Sequence, residues 1–419
     1  MISLDRRRFL GLTAAGTFAA VGGYAAWQLG TEFAPAPTPL RAPTPPVAAP
    51  PDQRRLVVIE MAGGNDGLSM VVPYTDDRYY ALRRNTAIEA SRVHRIDDRL
   101  GLHPELEQVA LGGAAVLAGV GTAAPDLSHF EMLQRWWTGD PAGTLRPTTG
   151  FLGRLCDVVG DPAAPAVGVS LGGGPSPALS AERCTTLSMD PDTGGAFPMP
   201  DDPALAAAWL AAQHAMNHPD RGAGALLSTA RDSARTALRF GDVAAALPAA
   251  ADGYPDSHLG CQLSLAARVL ADDQHGIRIV HVPMADDFDT HTDHLTRYAS
   301  IMRQFDAAIG AFRADLDRRG LASRVLIATL SEFGRRVPDN DSGGLDHGAA
   351  STALLFGPVR PGGHGEQPSL RTLDRDDNLK ATVDMSEFYA TIAESWFTVP
   401  AELVLPGRPK PVPGIIVDR

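Results

Sequence analysis

Short apolar runs that end in polar loops are the feature that most constrains the fold of this chain. Runs of this length that contain β-branched residues are typical of buried strands. Each run is followed by a loop rich in Gly, Asp, Asn or His. The runs cover residues 56–61, 114–121, 276–284 and 324–330, and a fifth run covers residues 351–357.

An amphipathic helix is predicted between the third and fourth runs. Its apolar positions recur every three or four residues, and Gly320 ends the pattern. These positions are Ile301, Phe305, Ile309, Phe312 and Leu316. The order strand, polar loop, helix, strand predicts an α/β fold: a three-layer α/β/α sandwich with a mostly parallel sheet. Alanine-rich helical patterns in residues 200–275 predict a helical insertion between strands.

Acids and histidines are concentrated in the loops that follow the predicted strands. In open parallel sheets, ligands bind outside the carboxyl ends of the strands. Each group also has a structural alternative, because Gly-Asn-Asp-Gly is a common turn and a serine before a helix can cap it. The joint pattern nevertheless favours one ligand site at this edge of the sheet. The residues are Asn65, Asp66, Ser128, His129, Asp289, His291 and Glu332, with Asp346 and His347 on a Gly-rich loop.

The residue types in these loops predict a divalent metal ion, which could be Zn, Mn, Mg or Ca. Imidazole and carboxylate groups are the common ligands of such ions. The loop after the third run also offers other ligands: Asp286, Asp287, Asp293 and His294. Arg335 could pair with the oxygens of a phosphate or sulfate group, or form a surface salt bridge. His364 is a further candidate for a supporting role.

The N-terminus predicts export. Residues 1–31 contain an arginine cluster, then Phe9-Leu10 and a weakly apolar stretch, which is the layout of a twin-arginine signal. Export places the protein in the periplasm, at the cell surface or outside the cell. The alternative is an uncleaved N-terminal membrane tether. Residues 32–53 are predicted to be a Pro/Ala linker, and residues 54–419 the folded domain.

Composition excludes several classes of protein. The formal net charge of -12 argues against a nucleic-acid partner, since phosphate neutralisation needs a basic surface. Three cysteines are too few for a disulfide scaffold. No G-x-x-x-x-G-K motif is present, which excludes the usual phosphate-binding loop.

Several of these stretches resemble an exported family catalogued as domain of unknown function 1501. The motifs are Arg-Arg-x-Phe-Leu, GGNDGLSMVVPY, SHFEMLQRWWTG, YPDSHLGCQLSLAARVL, FDTHTDHL, SEFGRRVPDN and GLDHG. The motifs occur in this order along the chain, and the match extends from about the first strand to Trp396. The resemblance places the chain in the alkaline phosphatase/sulfatase superfamily and implies its α/β/α sandwich with a metal-centred hydrolytic site.

The resemblance also implies roles for single residues. Asp66 would be the acid after the first strand, and Ser128 or His129 would lie near the nucleophile. Asp289 and His291 would be one metal pair, Glu332 the acid of another metal, and His347 a late histidine. Phe333 stands where a second ligand is expected, which implies an incomplete second site.

Two functions are predicted. The first is an exported metal-dependent hydrolase that acts on phosphate or sulfate esters of a small molecule or a polymer. Ser128 or a metal-activated water would attack, and His129 or His347 would assist proton transfer. The alternative is a non-catalytic exported binding or assembly protein on the same fold.

Overall fold

The computed structural model describes residues 44–144, 147–193, 202–216, 244, 247–284 and 288–418. These residues belong to the compact unit Pro39–Arg419. The predicted export signal lies outside the described residues, as do residues 217–243 of the predicted insertion. No described helix is long and apolar enough to cross a membrane.

A nine-stranded sheet forms the centre of the protein. Its strands are β1 (Arg55–Met61), β5 (Ala115–Gly121), β6 (Gly168–Ser170), β7 (Thr186–Ser188), β8 (Ile279–Met284), β9 (Val325–Leu330), β10 (Ser351–Phe356), β11 (Gly362–His364) and β12 (Val383–Asp384). The spatial order is β11-β5-β10-β9-β1-β8-β6-β7, and β12 also pairs with β5. A small antiparallel sheet joins β2 (Val71–Val72), β4 (Gly101–Leu102) and β3 (His94–Arg95).

One strand of the large sheet runs against the others. β10 pairs antiparallel with both β5 and β9, and the remaining pairings are parallel. The predicted mostly parallel sheet is therefore confirmed. Because β10 is reversed, the loop between β9 and β10 begins and ends at the same edge of the sheet.

The helices of the described residues are α1 (Gly67–Met70), α2 (Asp77–Leu82), α3 (Glu107–Gly112), α4 (His129–Thr138), α5 (Phe151–Val159), α6 (Pro203–Met216), α7 (His258–Leu270), α8 (His294–Arg318) and α9 (Met385–Ala390). A π-helical turn, Thr391–Trp396, continues α9. Short 3-10 turns cover Pro51–Gln53, Pro177–Leu179 and Ala401–Leu403. The apolar positions predicted for α8 are all buried.

Alternate residues of β1 face two separate hydrophobic cores, which makes the fold three-layered. Val57 and Ile59 pack in the core that contains residues of α7 and α8. Leu56 and Val58 pack in the core that contains residues of α4, α5 and α9. α7 therefore packs in a helical layer of the sandwich, and the insertion predicted for residues 200–275 stays a prediction.

The polarity of the strands decides where the polar loops lie. β1, β5, β8 and β9 are parallel, so the loops that follow them meet at one edge of the sheet. The antiparallel β10 starts at that same edge. The loop 331–350 therefore keeps both of its ends beside the loops from β1, β5 and β8.

Candidate metal centre

Four predicted site residues meet at this edge: His129, Asp289, His291 and His347. Nε2 of His347 lies 3.1 Å from Nε2 of His129 and 3.0 Å from Nε2 of His291. Oδ1 of Asp289 lies 3.0 Å from Nε2 of His291 and 3.1 Å from Nε2 of His347. The same oxygen lies 3.9 Å from Nε2 of His129. Three nitrogens and one carboxylate oxygen therefore face one another.

The second nitrogen of each imidazole ring contacts an oxygen, which orients the ring. For His347 the oxygen is a backbone carbonyl, which can only accept a hydrogen bond, so Nδ1 is the donor. When the ring is neutral, the lone pair of Nε2 then points at the cluster. Acceptors placed behind metal-binding histidines fix their tautomer in this way. The pairs are His129 with Oε1 of Glu332 (2.8 Å), His347 with the carbonyl of Leu127 (2.8 Å), and His291 with Oδ1 of Asp346 (3.2 Å).

The geometry of the cluster fits a divalent ion. Two Nε2 lone pairs that face each other at 3.0–3.1 Å repel, so either a shared proton or a shared metal cation must lie between them. Neighbouring ligand atoms of a tetrahedral zinc ion are about 3.3 Å apart, given Zn–N bonds of about 2.0–2.1 Å. The ligand atoms of His129, Asp289 and His347 all lie within 4.8 Å of one another. His129, Asp289 and His347 thus form a His/Asp set that can hold a metal, with His291 beside it.

The centre is partly open to solvent and contains one carboxylate, that of Asp289. The four side chains are 22 to 41% exposed. Burial alone would raise the pKa of the Asp289 carboxyl, but the hydrogen bond and charge of Arg335 lower it below its ordinary value. The Asp289 carboxylate is therefore ionised at neutral pH.

Glu332 and Asp346, both predicted to be metal ligands, lie behind the histidines. Glu332 is 1% exposed, and its Oε1 also accepts from the backbone N–H of Gly63 at 2.6 Å. Oδ1 of Asp346 accepts from Nδ2 of Asn340 at 3.1 Å, and this hydrogen bond lowers the pKa of Asp346. In the structure both acids orient histidine rings and do not face the centre themselves.

Asp66 does not join the cluster. It caps α1 through the backbone N–H groups of Leu68 and Ser69, and Arg83 binds both of its oxygens. Burial opposes ionisation of Asp66, but the charge of Arg83 holds its pKa far below the ordinary range. Asp66 and Arg83 are both buried. Asp66, the acid after β1, therefore forms a buried ion pair with Arg83 and is not a metal ligand; the sequence did not indicate this pairing.

Arg335 and Ser128 also differ from their predicted roles. The side chain of Arg335 is 0% exposed and pairs with Asp289, so its guanidinium is turned away from any substrate. Ser128 is exposed and stands at the N-cap of α4, but its side chain makes no cap hydrogen bond. The predicted alternatives are therefore also corrected: the ion pair of Arg335 is buried and not at the surface, and Ser128 occupies the cap position without a side-chain hydrogen bond.

The remaining candidates near these loops are placed as follows. His294 is buried and lies 3.0 Å from Oγ of Ser69 and 2.7 Å from Oγ1 of Thr290, away from the centre. Asp293 is exposed at the start of α8. Asp286 and Asp287 lie outside the described residues. His364 lies on β11 and contacts the carbonyl of Arg360.

Glu332 is expected to control the protonation of His129. Its hydrogen bond raises the pKa of His129 above the ordinary value. Protonation of His129 therefore stabilises the folded state at low pH, and this stabilisation is lost as pH rises through the pKa of His129 in the folded protein. In metal-free protein, Glu332→Gln should lower the pKa of His129, because a neutral amide does not favour the imidazolium by charge. An NMR titration of the His129 ring measures this, with Glu105→Gln as the control; an unchanged pKa in Glu332→Gln would contradict the pairing.

Comparison with known proteins gives a family and a set of distant structures. Residues 99–414 match the family described as "Protein of unknown function (DUF1501)". No curated protein sequence matches the chain. The lipoteichoic acid synthase LtaP from Listeria monocytogenes is similar in structure, with a TM-score of 0.40 and 8% identity over 83% of this chain and 72% of that one.

Two further structures are similar at the same level. The C-terminal periplasmic domain of EcEptC from Escherichia coli, in complex with Zn, has a TM-score of 0.37 and 11% identity over 81% of this chain and 82% of that one. The phosphonate monoester hydrolase of Agrobacterium radiobacter has a TM-score of 0.38 and 10% identity over 82% and 74%. The family match confirms the resemblance that the sequence motifs indicated.

Proposed function

Because this chain belongs to the family described as protein of unknown function DUF1501, whose name assigns no activity, we propose a function from the site itself. The protein is a metal-dependent hydrolase of phosphate or sulfate esters. It acts at the solvent-open centre formed by His129, Asp289 and His347, with His291 beside them.

One observation carries this proposal. Three imidazole Nε2 atoms and Oδ1 of Asp289 face one another, while the Nδ1 atoms contact oxygens behind the rings. A merely structural histidine cluster would be expected to be buried. This one is partly exposed at the carboxyl edge of a parallel sheet, where ligands of α/β proteins bind.

The residues around the centre suit an ester substrate. A divalent ion held there would offset the negative charge of a phosphoryl or sulfuryl group. Ser128 is exposed and directly precedes His129, so its hydroxyl is available as a nucleophile, with water as the alternative. α4 begins at His129, so the positive end of its helix dipole lies beside the centre. Phe130 is 87% exposed and offers an apolar surface to the organic part of the ester.

His129 and His347 have a narrower role than proton transfer. Each faces the centre through Nε2 and is engaged at Nδ1, so each is expected to act as a ligand. His291, whose side chain is 41% exposed, contacts the half-exposed Asp346 and is better placed to exchange a proton with solvent.

The second candidate function is a non-catalytic exported binding or assembly protein. The burial of Arg335 favours it, because this guanidinium cannot contact a substrate anion. Metal binding without turnover would support this candidate.

Hydrolysis of nitrophenyl phosphate and nitrophenyl sulfate by the purified protein tests the proposal. We expect turnover of at least one ester, loss of turnover with a chelator, and its return when metal is added. His291→Ala should reduce turnover by at least about tenfold, because it removes a group in contact with two members of the centre. His364→Ala is the control and should match wild type. Chelator-insensitive turnover, or none in metal-loaded protein, would contradict the proposal.

We also propose export by the twin-arginine route, with the N-terminus as either a cleaved signal or a tether. The arginines of the signal are Arg6 and Arg7. Replacing both by lysine should leave the protein in the cytoplasm, as cell fractionation would show. Unchanged export of this variant would rule out the route.

A further inference from the structure

Arg335 is the most highly connected side chain beside the centre. Its side chain is wholly buried, and it donates to four backbone carbonyls and to Oδ1 of Asp289. The carbonyls are those of Gly63, Gly64, Phe288 and Leu345. They belong to the loops that follow β1 and β8 and to the loop between β9 and β10. One guanidinium therefore joins three of the loops from which the centre is built.

The oxygen that Arg335 binds is also the oxygen that faces the histidines. Nη2 of Arg335 lies 2.6 Å from Oδ1 of Asp289. The same Oδ1 lies 3.0 Å from His291 and 3.1 Å from His347. A planar guanidinium with fixed N–H directions holds such an oxygen in one place. Arg335 thus sets the position of the carboxylate from the protein side, opposite the open side of the centre.

An aromatic ring fills the space on the other side of the histidines. The ring of Phe333 is 4.8 Å from that of His129 and 4.7 Å from that of His347, measured between centroids. Phe333 is 1% exposed. The ring of Phe333 packs directly against Gly64, whose φ is 79°. A Cβ added to Gly64 would lie 2.4 Å from Cε2 of Phe333, so a larger residue would collide with the ring. No carbon of this ring can serve as a metal ligand.

We propose that Arg335 is a positioning residue for Asp289 and the permanent second cation of the site, so that the centre binds one metal ion. Arg335 neutralises part of the charge of Asp289 from inside the protein. Phe333 excludes ligands from the space beside the histidines. This inference rests on the proposed metal centre but not on ester hydrolysis.

Zinc titration of chelator-treated full-length protein, followed by native mass spectrometry, tests the proposal. Wild type should bind one zinc ion per chain. Arg335→Lys keeps the charge but has a single nitrogen, which cannot bind the carbonyls and Asp289 together. We expect its zinc affinity to fall about 10- to 100-fold, as is usual when a residue that orients a ligand is changed. Its stoichiometry should remain one.

Arg83→Lys is the matched control. Arg83 is also buried and paired with a carboxylate, Asp66, but it does not contact the centre. This variant should lose stability and keep the zinc affinity of wild type. Both variants are compared at a temperature at which circular dichroism shows them folded.

Three results would overturn the proposal: two zinc ions per chain, no zinc binding, or wild-type zinc affinity in folded Arg335→Lys. Oε2 of Glu332 is the oxygen that could bind such a second ion, because it is buried and has no hydrogen-bond partner among the described residues. If Arg335→Lys does not fold, the wild-type stoichiometry still decides. One zinc ion without ester hydrolysis would remove the proposed function and leave this inference intact. Two zinc ions with ester hydrolysis would remove this inference and leave the proposed function intact.

Discussion

His347→Ala is expected to lower the affinity for divalent metal by at least about 100-fold, since a direct ligand should matter more than a residue that only orients one. Nε2 of His347 lies within 3.1 Å of His129, His291 and Asp289, so its removal separates the other members of the centre. The turnover proposed above should disappear with the metal. The fold should persist, because His347 lies at the open edge of the sheet and outside both cores.

Metal content by elemental analysis and zinc affinity by titration measure this effect. His364→Ala is the control, since His364 is also a histidine of the same sheet, on β11, but its ring contacts the Arg360 carbonyl and not the centre. A His347→Ala variant that retains stoichiometric metal with wild-type affinity would show that the metal binds elsewhere.

Arg83→Met is expected to destabilise the protein by about 3–5 kcal/mol, the usual cost of leaving one partner of a buried ion pair alone. Arg83 and Asp66 have side chains that are 0% and 1% exposed. Arg83 also donates to the carbonyl of Val337 at 2.9 Å, so the pair connects the loop after β1 with the loop after β9. Because the pKa of Asp66 is lowered, the pair stabilises the fold above the ordinary carboxyl pKa and loses this effect as pH falls through the folded value.

Urea unfolding at neutral pH measures this loss. Arg303→Met is the matched control, because Arg303 pairs with Glu105 at an exposed site. A surface pair contributes about 0–1 kcal/mol, so the control should stay close to wild type. Equal effects of the two variants would contradict the special role of the Asp66–Arg83 pair.

The location of the centre could be predicted from the sequence because strand polarity is a strong constraint. Parallel strands end at one edge, so His129, Asp289 and His291 had to lie near one another once the strands were identified. His347 was harder to place, since the apolar run 351–357 does not encode its direction. Only the reversed β10 explains why the loop before it stays at this edge.

The roles of the acids could not be predicted in the same way. An imidazole ring has two nitrogens, and the sequence does not say which acid faces the metal and which lies behind a ring. Glu332 and Asp346 turned out to lie behind rings. The carbonyl of Leu127 carries no signal in the sequence at all, because every residue has one.

The burial of Arg83 and Arg335 could not be predicted for a related reason. A charged side chain is usually exposed, and its burial requires several partners from distant segments. Arg83 meets Asp66 from the end of a separate helix, and Arg335 meets carbonyls from three loops. Such partners become visible only when the loops are placed in space.

Anomalous X-ray diffraction at the zinc edge, on crystals of zinc-loaded protein, tests the account most directly. We predict a single anomalous peak at bonding distance, about 2.0–2.1 Å, from Nε2 of both His129 and His347, with Asp289 as a further ligand. A peak elsewhere, or none at this edge in protein that contains zinc, would contradict the metal centre on which the proposed function depends.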